Sequence, residues 1–358
     1  MLEMLQKSTL LKEDIITLLS LAGDEQQQLL DHAAKIKRQQ TGNIVWLRGL
    51  IELSNLCEKN CYYCGIRCSN KKTVRYSLSH EEVMQAVMRA HEKGYGSVAI
   101  QSGEISSKTF TDKINKIVLD SKKMTCGEIG ITLSCGEQTE ETYRRWFESG
   151  ADRYLLRIET SSEALYKRLH PDNERHSYGK RLKALESLRR TGYQVGTGVM
   201  IGLPFQTKEM LAEDLLFMKR FDIDMCGMGP YIEHTDTPLY AFREQLPSIT
   251  ERFSLSLKMI SLLRILMPDI NIAATTALQA IQKEGREQAI RAGANVLMPN
   301  ITPKQYRDDY FLYNNKPVSS QSDEDELATL EQRLRAIDHK IGFFGQGNSL
   351  HYKGLPRL

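Results

Sequence analysis

The sequence lacks the features that would place it in a membrane or in an oxidising compartment. No uninterrupted apolar run approaches the length of a membrane span, and charge recurs from Glu3 onward, so the N-terminus has no apolar signal core. Seven cysteines in 358 residues are too few for a disulfide framework. We therefore expect a cytoplasmic protein, because thiols stay reduced in that compartment.

A charge excess of either sign is also missing. The chain has 48 basic and 45 acidic residues, which gives a formal net charge of +3. Because charges of both signs occur in nearly equal numbers, electrostatics do not favour binding to nucleic acid or to an anionic membrane. With 41% hydrophobic residues the chain can bury one large core, and its length does not require two domains.

Three closely spaced cysteines are the most informative feature that is present. Cys57, Cys61 and Cys64 follow an apolar run at spacing C-x3-C-x2-C. Soft thiolates select zinc or iron–sulfur clusters, but structural zinc normally takes four ligands from two Cys/His pairs. No second pair with zinc spacing occurs in the sequence. A four-iron cluster on three cysteines keeps one iron open, which is typical of radical S-adenosylmethionine (SAM) enzymes; a structural metal knuckle is the alternative.

From Asn43 onward the pattern alternates between strands and helices. We predict eight strands, over residues 44–53, 97–101, 129–134, 153–159, 195–201, 225–231, 272–276 and 295–299. Alternating βα units imply a parallel sheet with right-handed crossovers, and eight of them fit a closed (β/α)8 TIM barrel. A large open doubly wound sheet is the alternative, although no G-x-G-x-x-G follows an early strand.

The barrel is expected to have extensions at both ends of the chain. We divide the sequence into an N-terminal helical extension, a barrel and a C-terminal extension packed on the barrel, over residues 1–42, 43–300 and 301–358. Ser79 and Glu82 have the spacing of a capping box and predict a helix start. A charged helix is expected over residues 323–340.

In such a barrel the chemistry lies at the C-terminal ends of the strands, and polar residues recur there. Arg157 and Glu159 share one face of the fourth strand by the period of two. They form an interior salt bridge or else bind the ribose hydroxyls and carboxylate of a cofactor. Arg48 and Glu52 likewise share a face of the first strand, so Arg48 binds either a substrate carboxylate or Glu52.

Several ordered strings between about residues 10 and 313 resemble the HydE family, the radical SAM maturases of iron-only ([FeFe]) hydrogenase. Biotin synthase and methylornithine synthase share the cluster loop and the barrel but not most of these strings. The matching strings are RGLIELSN (48–55), YYCG (62–65), QSGE (101–104), GADRYLLR (150–157), GLPFQT (202–207), HTDTP (234–238), ATTA (274–277), GAN (293–295) and MPN (298–300).

The resemblance implies roles for individual side chains. Cys57, Cys61 and Cys64 would hold a 4Fe-4S cluster with one open iron, and Tyr63 would lie against the adenine of SAM. The other residues that would line the cofactor are Ser102, Glu104, Ser134, Arg157, Glu159 and Arg181. Those that would line the barrel interior around the substrate are Arg48, Thr132, Thr275, Thr276 and Tyr306.

The resemblance also implies an activity. The enzyme would cleave SAM reductively to a 5′-deoxyadenosyl radical, which would act on a small organometallic or cysteine-derived substrate during hydrogenase assembly. Sister maturases and a reductase or ferredoxin would be partners. A radical SAM enzyme with an ordinary organic substrate is the first alternative, and a non-catalytic iron–sulfur carrier is the second.

The chain departs from the family pattern in some places. Some HydE proteins have C-terminal cysteines for a second cluster, but no cysteine follows Cys226, so we expect no second cluster there. Ile158 and Ile105 stand where a histidine and an acid can occur. Cys68 is an extra thiol four residues past Cys64, and we expect it to be a bystander, with a role as an alternative cluster ligand as the other reading.

Overall fold

Parallel strands form the centre of the molecule. The computed structural model describes residues 2–5, 7, 9–317 and 323–354. The strands are β1 (Ile44–Ser54), β2 (Ser97–Ser102), β3 (Gly130–Ser134), β4 (Arg153–Leu155), β5 (Gln194–Thr197), β6 (Met200–Ile201), β7 (Met225–Cys226), β8 (Gly229–Pro230), β9 (Asn271–Ile272), β10 (Val296–Leu297) and β11 (Lys340–Ile341).

The main sheet closes on itself. Its order is β10-β1-β2-β3-β4-β5-β7-β9, and every neighbouring pair is parallel. The two ends meet through a parallel bridge between Ala273 and Val296, and Asn295 N donates to Ile272 O at 2.9 Å. This is the (β/α)8 arrangement that the alternation predicted, and the open doubly wound sheet is excluded.

Two predicted strands are interrupted at the point where they approach the C-terminal rim. The fifth strand breaks between β5 and β6, and the sixth breaks between β7 and β8. The breaks face each other, since a Cβ on Gly198 would lie 2.0 Å from Gly227 O. β6 and β8 then pair with each other as a separate two-stranded sheet. The prediction of continuous strands over 195–201 and 225–231 was therefore wrong.

Three other predicted strands, the fourth, the seventh and the eighth, end earlier than expected, and the eighth ends at Leu297. The fourth ends at Leu155, and Glu159, with a left-handed φ of +65°, forms an isolated parallel bridge with Val199. The seventh ends at Ile272, and Thr276 is the first residue of a helix. The rim is therefore made largely of loops.

Helices surround the barrel and extend from it. They are α1 (Leu2–Leu5), α2 (Lys12–Leu19), α3 (Gly23–Gln40), α4 (His80–Glu92), α5 (Lys108–Met124), α6 (Glu140–Glu148), α7 (Glu163–Leu169), α8 (Tyr178–Thr191), α9 (Lys208–Phe221), α10 (Ile249–Leu266), α11 (Thr276–Ile281), α12 (Gly285–Arg291), α13 (Lys304–Arg307) and α14 (Asp323–Arg335). The predicted capping box of α4 is confirmed, with Ser79 N donating to Glu82 Oε2 at 2.7 Å and Glu82 N to Ser79 Oγ at 3.2 Å. No helix of the described ranges is long and apolar enough to cross a membrane.

The C-terminal segment closes the N-terminal end of the barrel. β11 pairs in parallel with the beginning of β1. The chain then passes beneath the barrel, where Gly347 O accepts hydrogen bonds from Asn271 Nδ2 at 2.8 Å and Arg48 Nη2 at 3.3 Å. This floor seals one end of the barrel, so its interior opens toward the rim that carries the cysteine loop.

Candidate active site

A cavity of about 370 Å³ occupies the barrel interior below the rim. It brings together residues from the cysteine loop, from most strand ends and from the segment after β10. The predicted site residues that line it are Arg48, Cys57, Cys61, Tyr63, Cys64, Ser102, Glu104, Thr132, Ser134, Arg157, Glu159, Arg181, Thr275 and Thr276. Tyr306 is the exception among the predicted residues.

The three cysteines lie on the loop that follows β1, and all three are free. Burial raises the pKa of each thiol, to about 12 for Cys64. Glu104 N donates to Cys57 Sγ at 3.4 Å, a contact that favours the thiolate. In the described part of the chain, no three His, Cys, Asp or Glu side chains are close enough to hold one metal ion. Three free, half-buried thiols that line one cavity are a donor set that a multi-iron cluster takes.

A buried network of four charges lies beside the cysteine loop. Lys59 Nζ is 2.9 Å from Glu104 Oε1 and 3.0 Å from Glu137 Oε2. Arg181 Nε is 2.7 Å from Glu137 Oε1, and Arg181 Nη2 is 3.4 Å from Glu104 Oε2. Burial raises the pKa of Glu104, while Arg181 and Lys59 oppose that shift. The network holds Glu104 in place at the cavity wall, next to Gly136, where any Cβ would overlap the Glu104 side chain.

Arg157 and Glu159 form the predicted pair, but the pair is incompletely satisfied. Arg157 Nη2 lies 3.0 Å from Glu159 Oε2, and it also donates to Val199 O at 3.0 Å. Neither Arg157 Nε nor Glu159 Oε2 has a hydrogen bond of good geometry, although both atoms are buried. Burial raises the pKa of Glu159, and Arg157 opposes the shift. A strained backbone and an unsatisfied carboxylate at one residue are typical of a ligand site.

Arg48 lies at the bottom of the cavity and does not pair with Glu52. Its side chain is buried and donates to Met225 Sδ at 3.1 Å and to Gly347 O at 3.3 Å. Glu52 instead pairs with Lys316 at 2.5 Å and accepts from Asn300 Nδ2 at 2.9 Å. The alternative of an internal Arg48–Glu52 pair was therefore wrong. Burial and the nearby Arg153 lower the pKa of Arg48, which no carboxylate contacts among the described residues.

The threonines of the cavity have hydroxyl groups without partners. Thr132 Oγ1 and Thr275 Oγ1 are buried, and neither has a hydrogen bond in the described chain. Gly229 makes room for Thr275, since a Cβ there would lie 2.3 Å from Thr275 Oγ1. These hydroxyls face the cavity that Arg48 also lines, so they are available to a polar ligand.

Tyr306 lies outside the cavity, and its predicted place in the barrel interior was wrong. It belongs to α13, stacks on Tyr76 with 4.9 Å between the ring centroids, and donates from its hydroxyl to Glu82 at 3.0 Å. The tyrosines that do line the cavity after α13 are Tyr310 and Tyr313. They are sequence neighbours of Tyr306, but only the path of the chain over the rim turns them inward.

Three charged residues at the site are not among those predicted from the sequence. Lys59 and Glu137 belong to the four-charge network, and Lys316 reaches the cavity from the C-terminal extension. The position of Lys59 between two cluster cysteines is a sequence feature that predicts a place at the site. No sequence feature predicts Lys316, because its contact with Glu52 joins residues far apart in the chain.

Tyr63 lines the cavity between Cys61 and Cys64. Its hydroxyl lies 3.4 Å from His170 Nε2, and the two rings meet edge to face. Burial lowers the pKa of His170 to about 3, so this imidazole is neutral at physiological pH. The neutral ring packs against Tyr63, which also lines the cavity.

Comparisons with known proteins give consistent results. The model of the Radical SAM superfamily matches residues 51–218. The chain is 42% identical over 316 residues to the [FeFe] hydrogenase maturase subunit HydE of Thermotoga maritima, covering 88% of this chain and 87% of that protein. Among solved structures, methylornithine synthase (PylB) matches with a TM-score of 0.81 and 24% identity, covering 96% and 97% of the two chains. The hydrogenase maturase HydG from Carboxydothermus hydrogenoformans matches with a TM-score of 0.78 and 21% identity, covering 95% and 78%. The two structural matches show the fold.

Proposed function

The chain belongs to the HydE family of the radical SAM superfamily, and from this premise we propose that it acts in assembly of the [FeFe]-hydrogenase metal site. The observation that carries the proposal is 42% identity to HydE along most of both chains. The enzyme uses a 4Fe-4S cluster and SAM as its cofactors. When bound, they supply a 5′-deoxyadenosyl radical through reductive cleavage of SAM.

We assign the cofactor to the upper half of the cavity. Cys57, Cys61 and Cys64 hold the cluster, and Tyr63 lies against the adenine. Glu104, fixed by its charged neighbours, binds the methionyl ammonium, and the unsatisfied Glu159 accepts from the ribose hydroxyls. The other cofactor contacts in this proposal are Ser102, Ser134, Arg157 and Arg181.

We assign the substrate to the lower half of the cavity. Arg48, Thr132, Thr275 and Thr276 receive its carboxylate, because a guanidinium and several hydroxyls suit a small anion. The floor excludes water from below, since the C-terminal segment seals that end. The substrate is a small organometallic or cysteine-derived molecule, and sister maturases and a reductase or ferredoxin are the partners. The proposal places the enzyme in the cytoplasm and involves neither nucleic acid nor membrane.

The first experiment tests the chemistry. The protein is reconstituted with iron and sulfide under anaerobic conditions, reduced with SAM present, and analysed by chromatography for 5′-deoxyadenosine. We expect the nucleoside to form only when the reductant is present. Its complete absence from cluster-loaded protein would favour a non-catalytic iron–sulfur carrier.

The second experiment tests the role in assembly. A hydrogenase maturation assay that lacks HydE is supplemented with this protein or with its Thr275→Val, Thr276→Val double variant. We expect the wild type to restore hydrogenase activity, and the variant to cleave SAM but restore none. If the double variant restores as much hydrogenase activity as the wild type, the two threonines are not part of the substrate site. Failure of the wild type to mature the hydrogenase, with SAM cleavage intact, would favour an organic substrate.

A further inference from the structure

A second cavity lies outside the barrel wall, beside the rim. It has a volume of about 190 Å³ and lies between α11, α12, the stretch after β10, and α14. Thr276, Met298 and Lys316 line both this cavity and the central one. The outer pocket is therefore the immediate neighbour of the proposed substrate chamber.

Arg286 is the unusual residue of this outer pocket. Its side chain belongs to α12 and is only 8% exposed. Its Nε atom is buried without a hydrogen-bond partner, and the guanidinium makes no ion pair in the described part of the chain. Burial lowers the pKa of Arg286, an effect that Glu287 partly offsets. A buried guanidinium without a partner is unfavourable unless something occupies the space it faces.

The carboxylates near Arg286 do not neutralise it. Glu287 pairs with Arg333 at 2.9 Å, and Glu52 pairs with Lys316 at 2.5 Å. Glu326 lines the pocket but makes neither a hydrogen bond nor an ion pair with Arg286 in the described residues. Among the described residues Arg286 therefore has no carboxylate in direct contact, and Glu287 and Glu326 act on it only at longer range.

We propose that the outer pocket binds a small carboxylate, held by Arg286. The planar guanidinium offers a fork of N–H donors that matches the two oxygens of a carboxylate. Gln279 and Asn300 line the same pocket and offer neutral amide groups to the remaining polar atoms of the ligand. The pocket is also lined by Arg307, Lys316 and Arg333, so the cations of its wall outnumber its carboxylate, Glu326, and favour an anionic ligand.

The full-length protein allows a direct test. Crystals grown without carboxylate buffers are soaked in sodium acetate, and the density beside Arg286 is examined. In solution, the thermal unfolding midpoint is measured while acetate replaces chloride at constant ionic strength. We expect acetate with both oxygens on Arg286, and an apparent Kd at least tenfold higher for Arg286→Gln.

Matched variants make the result specific. Arg291→Gln removes an exposed arginine of the same helix and should leave the acetate affinity unchanged. Arg286→Lys keeps the charge but loses the fork, so its affinity should lie between wild type and Arg286→Gln. If Arg286→Gln does not fold, the density beside Arg286 in the soaked wild-type crystal still tests the proposal.

Three outcomes would overturn the proposal. They are water or chloride alone beside Arg286, equal acetate affinity in wild type and Arg286→Gln, and binding of inorganic phosphate with acetate excluded. None of them touches the proposed function, because SAM cleavage and hydrogenase maturation are measured separately and do not depend on Arg286.

Discussion

At the residue scale, the central cavity is built around charges that are held away from water. The network of Lys59, Glu104, Glu137 and Arg181 neutralises itself, since each carboxylate contacts both cations. Arg48 has no such partner, and an unpaired buried charge costs several kcal/mol. The network is therefore suited to hold its side chains in a fixed geometry, whereas the unpaired Arg48 is available to bind an anion.

The cysteines allow the most direct prediction at this scale. Replacing Cys57, Cys61 or Cys64 by Ala should abolish the cluster, because a multi-iron cluster on three thiolates loses a third of its protein ligands with each replacement. Cys68 is exposed and lies outside the cavity lining, so Cys68→Ala should keep about four irons. Iron content and the visible spectrum after anaerobic reconstitution measure both effects. Loss of the spectrum in Cys68→Ala would show that the ligand set was misread.

A second prediction concerns the unsatisfied carboxylate of Glu159. Glu159→Gln keeps the shape of the side chain but removes the charge, so SAM binding should weaken by at least tenfold, or about 1.4 kcal/mol. The melting temperature should change little, because the pair with Arg157 is incomplete. Calorimetric titration and thermal unfolding give the two numbers. Glu163→Gln, at an exposed position of α7, is the control. If the affinity stays normal and only the stability falls, the pair is a structural salt bridge.

At the element scale, irregular backbone forms the rim of the barrel that carries the proposed cofactor site. β4 ends at Leu155, and the chain then makes the left-handed turn at Glu159 before α7 begins. Asp214, fully buried on α9, supports this turn by accepting from Ser161 N at 2.5 Å and from Ser161 Oγ at 2.6 Å. The strained backbone at Glu159 is therefore stabilised by α9, a helix on the outside of the barrel.

Asp214 makes the stability of the protein depend on pH. Burial raises the pKa of this carboxyl from 3.8 to about 7, against its hydrogen bonds from Ser161. The folded protein then binds the proton more tightly than the unfolded chain, so this contribution is present below about pH 4 and is lost as the pH rises toward 7. Relative to Asp214→Asn, the free energy of unfolding should fall with pH over that range, by up to ~1.4 kcal/mol per unit. Urea unfolding at several pH values measures both slopes, and equal slopes would contradict the assignment.

Some elements of the fold follow from local sequence patterns, and others depend on tertiary packing. The cysteine loop, the capping box of α4 and the order of βα units depend on local patterns, and the structure has them where they were predicted. Strand lengths near the rim were overestimated, because apolar runs continue into loops that are buried by tertiary packing. Tyr306 was misplaced for a related reason, since the pattern around it does not reveal which way α13 faces.

At the scale of the whole molecule, two segments outside the βα alternation complete the barrel. Lys316 closes the side of the cavity through Glu52, and the segment after β11 closes the floor beneath Arg48. Neither contact could be predicted from the sequence, because each joins residues more than 200 positions apart and depends on where the chain returns. The interior is therefore shaped by the C-terminal extension as much as by the strands.

Gly347 of the floor combines close packing with a left-handed φ, and it allows a prediction for the whole fold. Its φ is +61°, and a Cβ would lie 2.5 Å from Trp46 Cγ on β1. Gly347→Ala should therefore lower the free energy of unfolding through both backbone strain and overlap, by roughly 2–4 kcal/mol in total. Gly127→Ala is the matched control, because Gly127 has φ +79° but open space around its Cβ position, so only the strain of about 1 kcal/mol applies. Urea unfolding of both variants measures the difference. Equal losses would mean that Trp46 moves aside without cost, and that the floor is packed too loosely to hold Arg48 in place.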